Sequence, residues 1–402
     1  METGLLIILL CAIAFAMVAK RASKTIITAP MVFLAIGFVI ANSGIMAPEN
    51  AESMLDLVAE VSLIILLFLD AAQSDLKALR KDHVWPMRML LIGLPLCVGI
   101  GIVVAIPLFP DLPLVMLALM AAILAPTDAA LGQAVVSNEN VPERERRSLT
   151  VESGLNDGMA LPVILLFASL VMGMEAGEGE QMNWLLFGAK QVVLGPLAGV
   201  ALGWMGARIF LYAEANELTA PTFEGIAVLA LAGASYLVAS LIGGNGFIAS
   251  FVAGLTFGNL VKGHCRFIYE FTESEGQMLI WAAFLFIGLG LLPEAIGDLT
   301  WPIAIYILLS LFFVRPLAIY ISLLGTKTTT LTRLFFGWFG PRGLATALFA
   351  LLVAEELEHE YARAVIVLAV NAVWMSALLH GITASPGANW YAKTVAGLSK
   401  NK

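Results

Sequence analysis

The sequence predicts an all-α polytopic membrane protein of thirteen transmembrane helices, built as two inverted six-helix repeats with broken, crossing helices. Three observations lead there. Hydrophobic residues make up 60% of the 402 and charged residues only 13%, with a mean hydropathy of +0.90. A water-soluble chain of this size needs far more polar side chains to cover its surface, so the solvent is lipid. Apolar runs long enough to cross a hydrocarbon core of about 30 Å recur along the whole chain. Two of those runs, seven apart, are interrupted in mid-membrane by a proline set among polar or glycine residues, Pro126-Thr127-Asp128 and Gly340-Pro341-Arg342-Gly343.

In lipid, backbone polar groups must be satisfied within their own segment, so each run is read as a helix. The spans fall at 4–20, 26–46, 54–74, 86–109, 113–134, 148–173, 185–211, 223–242, 245–261, 274–293, 300–324, 333–354 and 362–382. The first is preceded by Glu2 and followed by Lys20, Arg21 and Lys24. A cleavable signal carries its positive charge ahead of the apolar run, so this is read as a retained helix with its N-terminus outside.

Basic residues then collect in alternate connections. Lys77, Arg80, Lys81 and Arg88 follow span three, Arg144, Arg146 and Arg147 follow span five, and Arg208 ends span seven. Lys262 and Arg266 follow span nine, Lys327 and Arg333 flank the connection after span eleven, and Lys393, Lys400 and Lys402 lie in the tail. The opposite connections are acidic, with Glu175, Glu178 and Glu180 in one and Glu355, Glu356, Glu358 and Glu360 in another. Positive charge stays inside, which places the C-terminus and a short tail, 383–402, in the cytoplasm.

A net charge of −8 offers phosphates no electropositive stripe, so nucleic acid is not an expected partner. Cys11, Cys97 and Cys265 fall in no metal or disulfide spacing. His83, His264, His359 and His380 are read as lying in or beside connecting segments. No cofactor is expected.

Ionisable groups within a bilayer cost at least about 2.5–3.5 kcal/mol each on insertion scales, so those present line a cavity or pair with one another. In chain order, span three carries Asp70 near its inner end. Span five carries Ala125-Pro126-Thr127-Asp128, where the proline breaks the helix. Span six reads Glu152-Ser153-Gly154-Leu155-Asn156-Asp157. Spacing of i,i+4 puts Ser153 and Asp157 on one face and Glu152 and Asn156 on an adjacent one, so that one face binds while the other braces. A hydroxyl and a carboxylate one turn apart are hard oxygen ligands for a small cation, and the carboxylate can instead hold a proton.

Span seven carries Lys190 near its outer end, read as snorkelling, and Gly195, Gly199 and Gly203 at four-residue spacing. That small-residue face is read as a seam inside the molecule rather than between two copies. Span eleven carries Arg315, and span twelve carries Gly340-Pro341-Arg342-Gly343. Breaks in spans five and twelve make residues 1–173 and 223–382 two repeats of opposite orientation, linked by the helix at 185–211, in a single transport domain. Asp128 and Arg342 are placed to offset the partial charges of the broken helix ends.

Together these residues resemble the monovalent cation:proton antiporters of the NhaP and sodium/proton exchanger branch. Thr127-Asp128, the Glu152-Ser153 to Asn156-Asp157 stretch, Gly246-Phe247-Ile248-Ala249 through Gly254, Phe313-Val314-Arg315-Pro316 and Gly340-Pro341-Arg342-Gly343-Leu344-Ala345 carry the resemblance. It implies the NhaA-like antiporter fold, alternating access of a six-helix core against a scaffold, and a homodimer. It also implies that Asp157 binds proton and cation, with Asp128, Ser153 and Thr127 as further Na⁺ ligands, and that Asp70 completes the site. Glu152 would pair with Arg315 to hold span six. This chain departs from the family at Ala129, where proline is usual, and at Asp70-Ala71, where Glu-Gly is usual.

Electrogenic relatives place a second aspartate where this chain has Asn156, so the resemblance implies electroneutral exchange of one proton per cation. The expected cation is Na⁺, with Li⁺ also served; the alternative is a K⁺/H⁺ antiporter. A cation channel would use the same ligands. An intramembrane hydrolase would use Asp128 and Asp157 as a carboxylate dyad, but the chain has no Tyr-Asp pair, and its nearest Gly-x-Gly-Asp is Ala295-Ile296-Gly297-Asp298 in an external loop.

Overall fold

A computed structural model describes residues 2–22, 25–45, 49–74, 76, 83–175, 181–273 and 275–400. Lys24, Lys77, Arg80, Lys81, Glu178, Glu180 and Lys402 fall outside the described residues. The described residues form helices α1 (Glu2–Ala22), α2 (Ala29–Asn42), α3 (Glu49–Gln73), α4 (Val84–Ala105), α5 (Leu114–Ile123) and α6 (Ala129–Val136). After these come α7 (Glu143–Glu175), α8 (Gln181–Ala215), α9 (Pro221–Leu241), α10 (Gly246–Leu260) and the short α11 (Phe267–Glu273). The last five are α12 (Glu275–Gly297), α13 (Trp301–Ser322), α14 (Thr330–Trp338), α15 (Leu344–Ala354) and α16 (His359–Lys400). Among the described residues, eight helices are long and apolar enough to cross a membrane: α1, α4, α7, α8, α9, α12, α13 and α16. α2, α5, α10 and α15 are apolar but only 10–15 residues long.

Three long helices contain a π-helical turn that the sequence reading leaves as continuous α-helix: Met89–Gly93 in α4, Ile287–Leu291 in α12 and Ser310–Val314 in α13. Each directly precedes a proline two residues on, at Pro95, Pro293 and Pro316. A proline has no N–H to donate, and its ring crowds the carbonyl four residues back. Widening that turn by one residue moves the carbonyl aside, and the helix continues as one span.

Glycines set the closest helix approaches. On α8, Gly195, Gly199 and Gly203 face the carbonyls of Asn245, Ala249 and Ala253 on α10. The stripe read as an internal seam therefore packs inside the molecule. The opposite side of α10 meets α3 the same way, Gly254 and Gly258 lying against the carbonyls of Phe68 and Ala72. A Cβ on any of these would overlap backbone, so α8, α10 and α3 stack as one layer. Across from them, Gly158 of α7 sits under the ring of Phe251 on α10.

Helix ends sort into two groups. Arg144, at the start of α7, lies over the Trp85 ring of α4 at 3.7 Å. Asn259 on α10 bonds Ser74 O at 2.9 Å, which ties the ends of α10 and α3 together. At the opposite ends, Arg363 meets Asp298 at 2.6 Å and Glu358 N donates to Glu175.

The expected tail at 383–402 continues α16 as helix to Lys400. Ala384, Ala388 and Tyr391 fall at i, i+4 and i+7 and are buried in a second hydrophobic cluster with Phe335, Phe336 and Phe339. The Tyr391 ring stacks on Phe335, and its hydroxyl donates to Glu145 at 3.0 Å.

Candidate functional site

Span five breaks where Pro126 predicts: α5 ends at Ile123, and residues 124–128 run without helix before α6 begins. Span twelve breaks at 339–343, between α14 and α15. The two breaks meet. Asp128 N donates to Pro341 O at 2.9 Å, and Leu344 N, the first of α15, donates to Asp128 Oδ2 at 2.7 Å. Asp128 Oδ1 accepts Leu131 N of its own helix at 3.3 Å. One buried carboxylate therefore caps the positive ends of two half-helices.

Arg342 answers it from the other break. Its Nη1 donates to Ala125 O at 2.7 Å and to Pro126 O at 2.9 Å, the carbonyls just beyond the end of α5. Nη2 reaches Ser310 Oγ of α13 at 3.5 Å. Fixed charges thus offset the ends of the broken helices, the arrangement the sequence reading expects. Gly343 is needed at the crossing because a Cβ there would overlap the Asp128 carboxylate.

α7 presents the two faces read from its spacing. On the bracing face, Glu152 accepts Arg315 Nη2 at 3.0 and 3.1 Å, with both side chains almost wholly buried. Asn156 Nδ2 donates to Thr127 O at 3.3 Å and also bonds Thr127 Oγ1, clamping the unwound segment to α7. On the adjacent face, Ser153 and Asp157 are half-buried. Ser153 Oγ lies 3.4 Å from Thr127 Oγ1. Asp157 Oδ1 is buried with no hydrogen-bond partner. α3 brings Asp70 close by packing its carbonyl and Ser74 against Gly154.

Asp157, Ser153, Thr127, Asp128 and Asp70 are therefore brought to one place, with Asn156, Glu152, Arg315 and Arg342 behind them. A small cavity lined by Asp128, Ser153, Thr150, Leu149, Val135 and Phe339 lies beside this place, between α6 and α7. As an acid dyad, Asp128 and Asp157 are poorly matched, because backbone N–H groups already occupy both Asp128 oxygens.

Sequence reading missed two residues here. Ser376 and His380 of α16 are buried and touch the break between α14 and α15. His380 thus lies within a helix rather than beside a connection. The signal that identifies the pair is polar spacing within an apolar span, Ser376, His380 and Thr383 at i, i+4 and i+7.

A helical membrane fold in which two broken helices cross, cap one another and leave an unpartnered carboxylate beside the crossing has the construction of a secondary transporter. The chain belongs to the family described as "Sodium/hydrogen exchanger, transmembrane", whose profile matches residues 5–390. It is 24% identical over 393 residues to the K⁺/H⁺ antiporter NhaP of Alkalimonas amylolytica, covering 96% of this chain and 65% of that protein. It is 29% identical over 335 residues to a Na⁺/H⁺ antiporter of Saccharomyces cerevisiae, covering 78% of this chain and 33% of the yeast protein. The chain thus spans less than two thirds of the length of these curated relatives. The fold is similar to that of the sodium proton antiporter MjNhaP1 from Methanocaldococcus jannaschii, with a TM-score of 0.78 at 20% identity over 97% of this chain and 99% of that one.

Proposed function

We propose that this chain is a secondary active antiporter that exchanges protons for a monovalent cation, Na⁺ first and Li⁺ also, one for one. The observation that carries this reading is the buried, unpartnered Oδ1 of Asp157, one helical turn from Ser153, whose hydroxyl lies 3.4 Å from that of the unwound Thr127. Such an oxygen accepts either a proton or a cation but not both, and competition couples the two fluxes. Ser153, Asp128 and the hydroxyl and carbonyl of Thr127 supply the remaining hard ligands, and Asp70 completes the shell. Neutralised by either occupant, the site crosses the membrane at lower cost than a bare carboxylate.

Exchange is electroneutral because Asn156, clamped to Thr127, contributes no second titrating carboxylate. The cavity lined by Asp128 and Ser153 supports access from the face of the connection between α6 and α7, which the basic Arg144, Arg146 and Arg147 mark as cytoplasmic. The protein then sits as a homodimer in a prokaryotic inner membrane, N-terminus outside and C-terminus cytoplasmic, and needs no cofactor. K⁺ is the second reading for the cation, favoured by the name of the Alkalimonas relative.

Reconstituted vesicles with a preformed pH gradient test the reading. Na⁺, Li⁺ or K⁺ added separately to wild type should collapse the gradient for the transported ion, and Asp157→Asn should abolish the response. Equal responses in both proteins would remove Asp157 from the exchange.

A further inference from the structure

Both ends of the second break are held from α16. His380 Nε2 lies 2.9 Å from Trp338 O, the last carbonyl of α14. The Trp338 indole stacks on the imidazole at 4.9 Å, and its Nε1 donates to Thr383 Oγ1 at 3.1 Å. Four residues past Trp338, Arg342 N donates to Ser376 Oγ at 2.7 Å. The hydroxyl and the ring are joined, Ser376 Oγ lying 3.1 Å from His380 Nδ1.

Hydrogen counting favours one protonation state of the ring. A carbonyl can only accept, so Nε2 carries a proton toward Trp338 O. Ser376 Oγ accepts from Arg342 N and has its own hydrogen to give, and the neutral ring offers Nδ1 as acceptor. Every donor in the chain Arg342 N–H, Ser376 O–H, His380 Nε2–H then has an acceptor. A second ring proton would pair Nδ1 with Ser376 O, 3.0 Å away, and withdraw Nδ1 from the serine hydroxyl. It would also add a cation beside others. The charged groups that face the ring are Arg342 and, behind it, Arg315 with its partner Glu152. α2, α5, α6 and α15 bring no titratable residue, and Arg333 of α14 is turned to Thr328.

We infer that His380, as the neutral Nε2–H tautomer, is a positioning residue for transport: through Ser376 and Trp338 it sets the broken segment that aims Arg342 at the crossing helix. Protonation of the ring releases that segment and stops exchange from the acid side, independently of proton competition at Asp157. The inference rests on the antiport reading above, and its two tests separate the two.

Exchange rate is measured against pH at saturating cation, and again at tenfold more cation. Competition at Asp157 gives an acid limb that moves with cation concentration, whereas the His380 limb stays put. His380→Gln keeps a donor for Trp338 O but takes no proton, so it should keep transport at alkaline pH and lose the cation-insensitive acid limb. His380→Leu orphans both partners and should run about tenfold slower at every pH. Acid limbs that superimpose in wild type and His380→Gln would overturn the inference.

The second test needs no transport. ¹⁵N NMR of histidine-labelled protein in detergent should show one neutral Nε2–H imidazole that disappears in His380→Gln. An Nδ1–H or doubly protonated ring at neutral pH, in the signal that is lost in His380→Gln, would overturn the assignment. Wild type inert to every cation but carrying that signature would instead indict the antiport reading alone.

Discussion

Removing Glu152 tests how much of the site rests on one buried ion pair. Arg315 and Glu152 are 3% and 4% exposed, and a single guanidinium nitrogen contacts both carboxylate oxygens. Arg315 Nε has no partner, so Glu152 is the counter-charge that holds this cation in the core. Breaking a buried pair from one side costs about 3–5 kcal/mol, whereas replacing both partners by apolar side chains is often close to neutral. Glu152→Leu alone should therefore lower the folding equilibrium by roughly two to three and a half powers of ten at ~1.4 kcal/mol per power. Glu152→Leu with Arg315→Met should recover to within about 1 kcal/mol of wild type. Unfolding in mixed detergent and SDS micelles, followed by tryptophan fluorescence, measures both. Gly340 supplies an internal control, because a Cβ there would overlap the Arg315 guanidinium. Gly340→Ala should destabilise wild type by a similar amount and do little in the Arg315→Met background. Single-variant losses that simply add in the double mutant, or a Gly340→Ala effect unchanged without Arg315, would refute the pairing argument.

Asn156→Asp should convert voltage-indifferent exchange into exchange whose rate follows an imposed membrane potential in liposomes. It should also be slower, since the variant loses the donor that clamps Thr127 O. Below the pH at which Asp157 begins to protonate, each further unit of acidification should raise the apparent KM for the cation about tenfold while the maximal rate of His380→Gln holds. The sign follows from competition, because the proton-loaded carboxylate has no room for the cation. Gly199→Leu should break the α8–α10 seam and lower the thermal midpoint without changing which cation is chosen, as read by melting in detergent and by the vesicle assay.

The parts of the fold written in residue chemistry were legible in the sequence. Pro126 and Pro341 stand in clusters of helix-breaking residues, Pro126-Thr127-Asp128 and Gly340-Pro341-Arg342-Gly343, and both breaks lie there, whereas Pro162, Pro196 and Pro386 lie inside continuous helices. The two faces of α7 followed from the spacing of Glu152, Ser153, Asn156 and Asp157 alone. What the pattern could not supply was anything depending on a distant partner. The π-helical turns before Pro95, Pro293 and Pro316 keep their spans continuous, and hydrophobic periodicity does not separate a widened turn from a regular one. Residues 383–400 carry Pro386 and Lys393 and read as a tail, yet Tyr391 finds Phe335 and Glu145 only in three dimensions. Asp128 read as a ligand and as a charge offsetting the broken helix ends, but its particular partner, Leu344 N of α15, lies 216 residues away in sequence.

That long-range cap bears on how the chain is made. During synthesis the run from 113 to 134 enters the bilayer long before residue 342 exists. Until then Pro126 O has no Arg342 to accept from, and neither Leu344 N nor Pro341 O is there to meet Asp128. The break can settle into its native crossing only after the twelfth span has inserted and threaded beside it. The transport core is therefore a late product of assembly, completed after translation has passed both breaks, and a nascent chain halted before α14 would expose to quality control a half-helix with no partner.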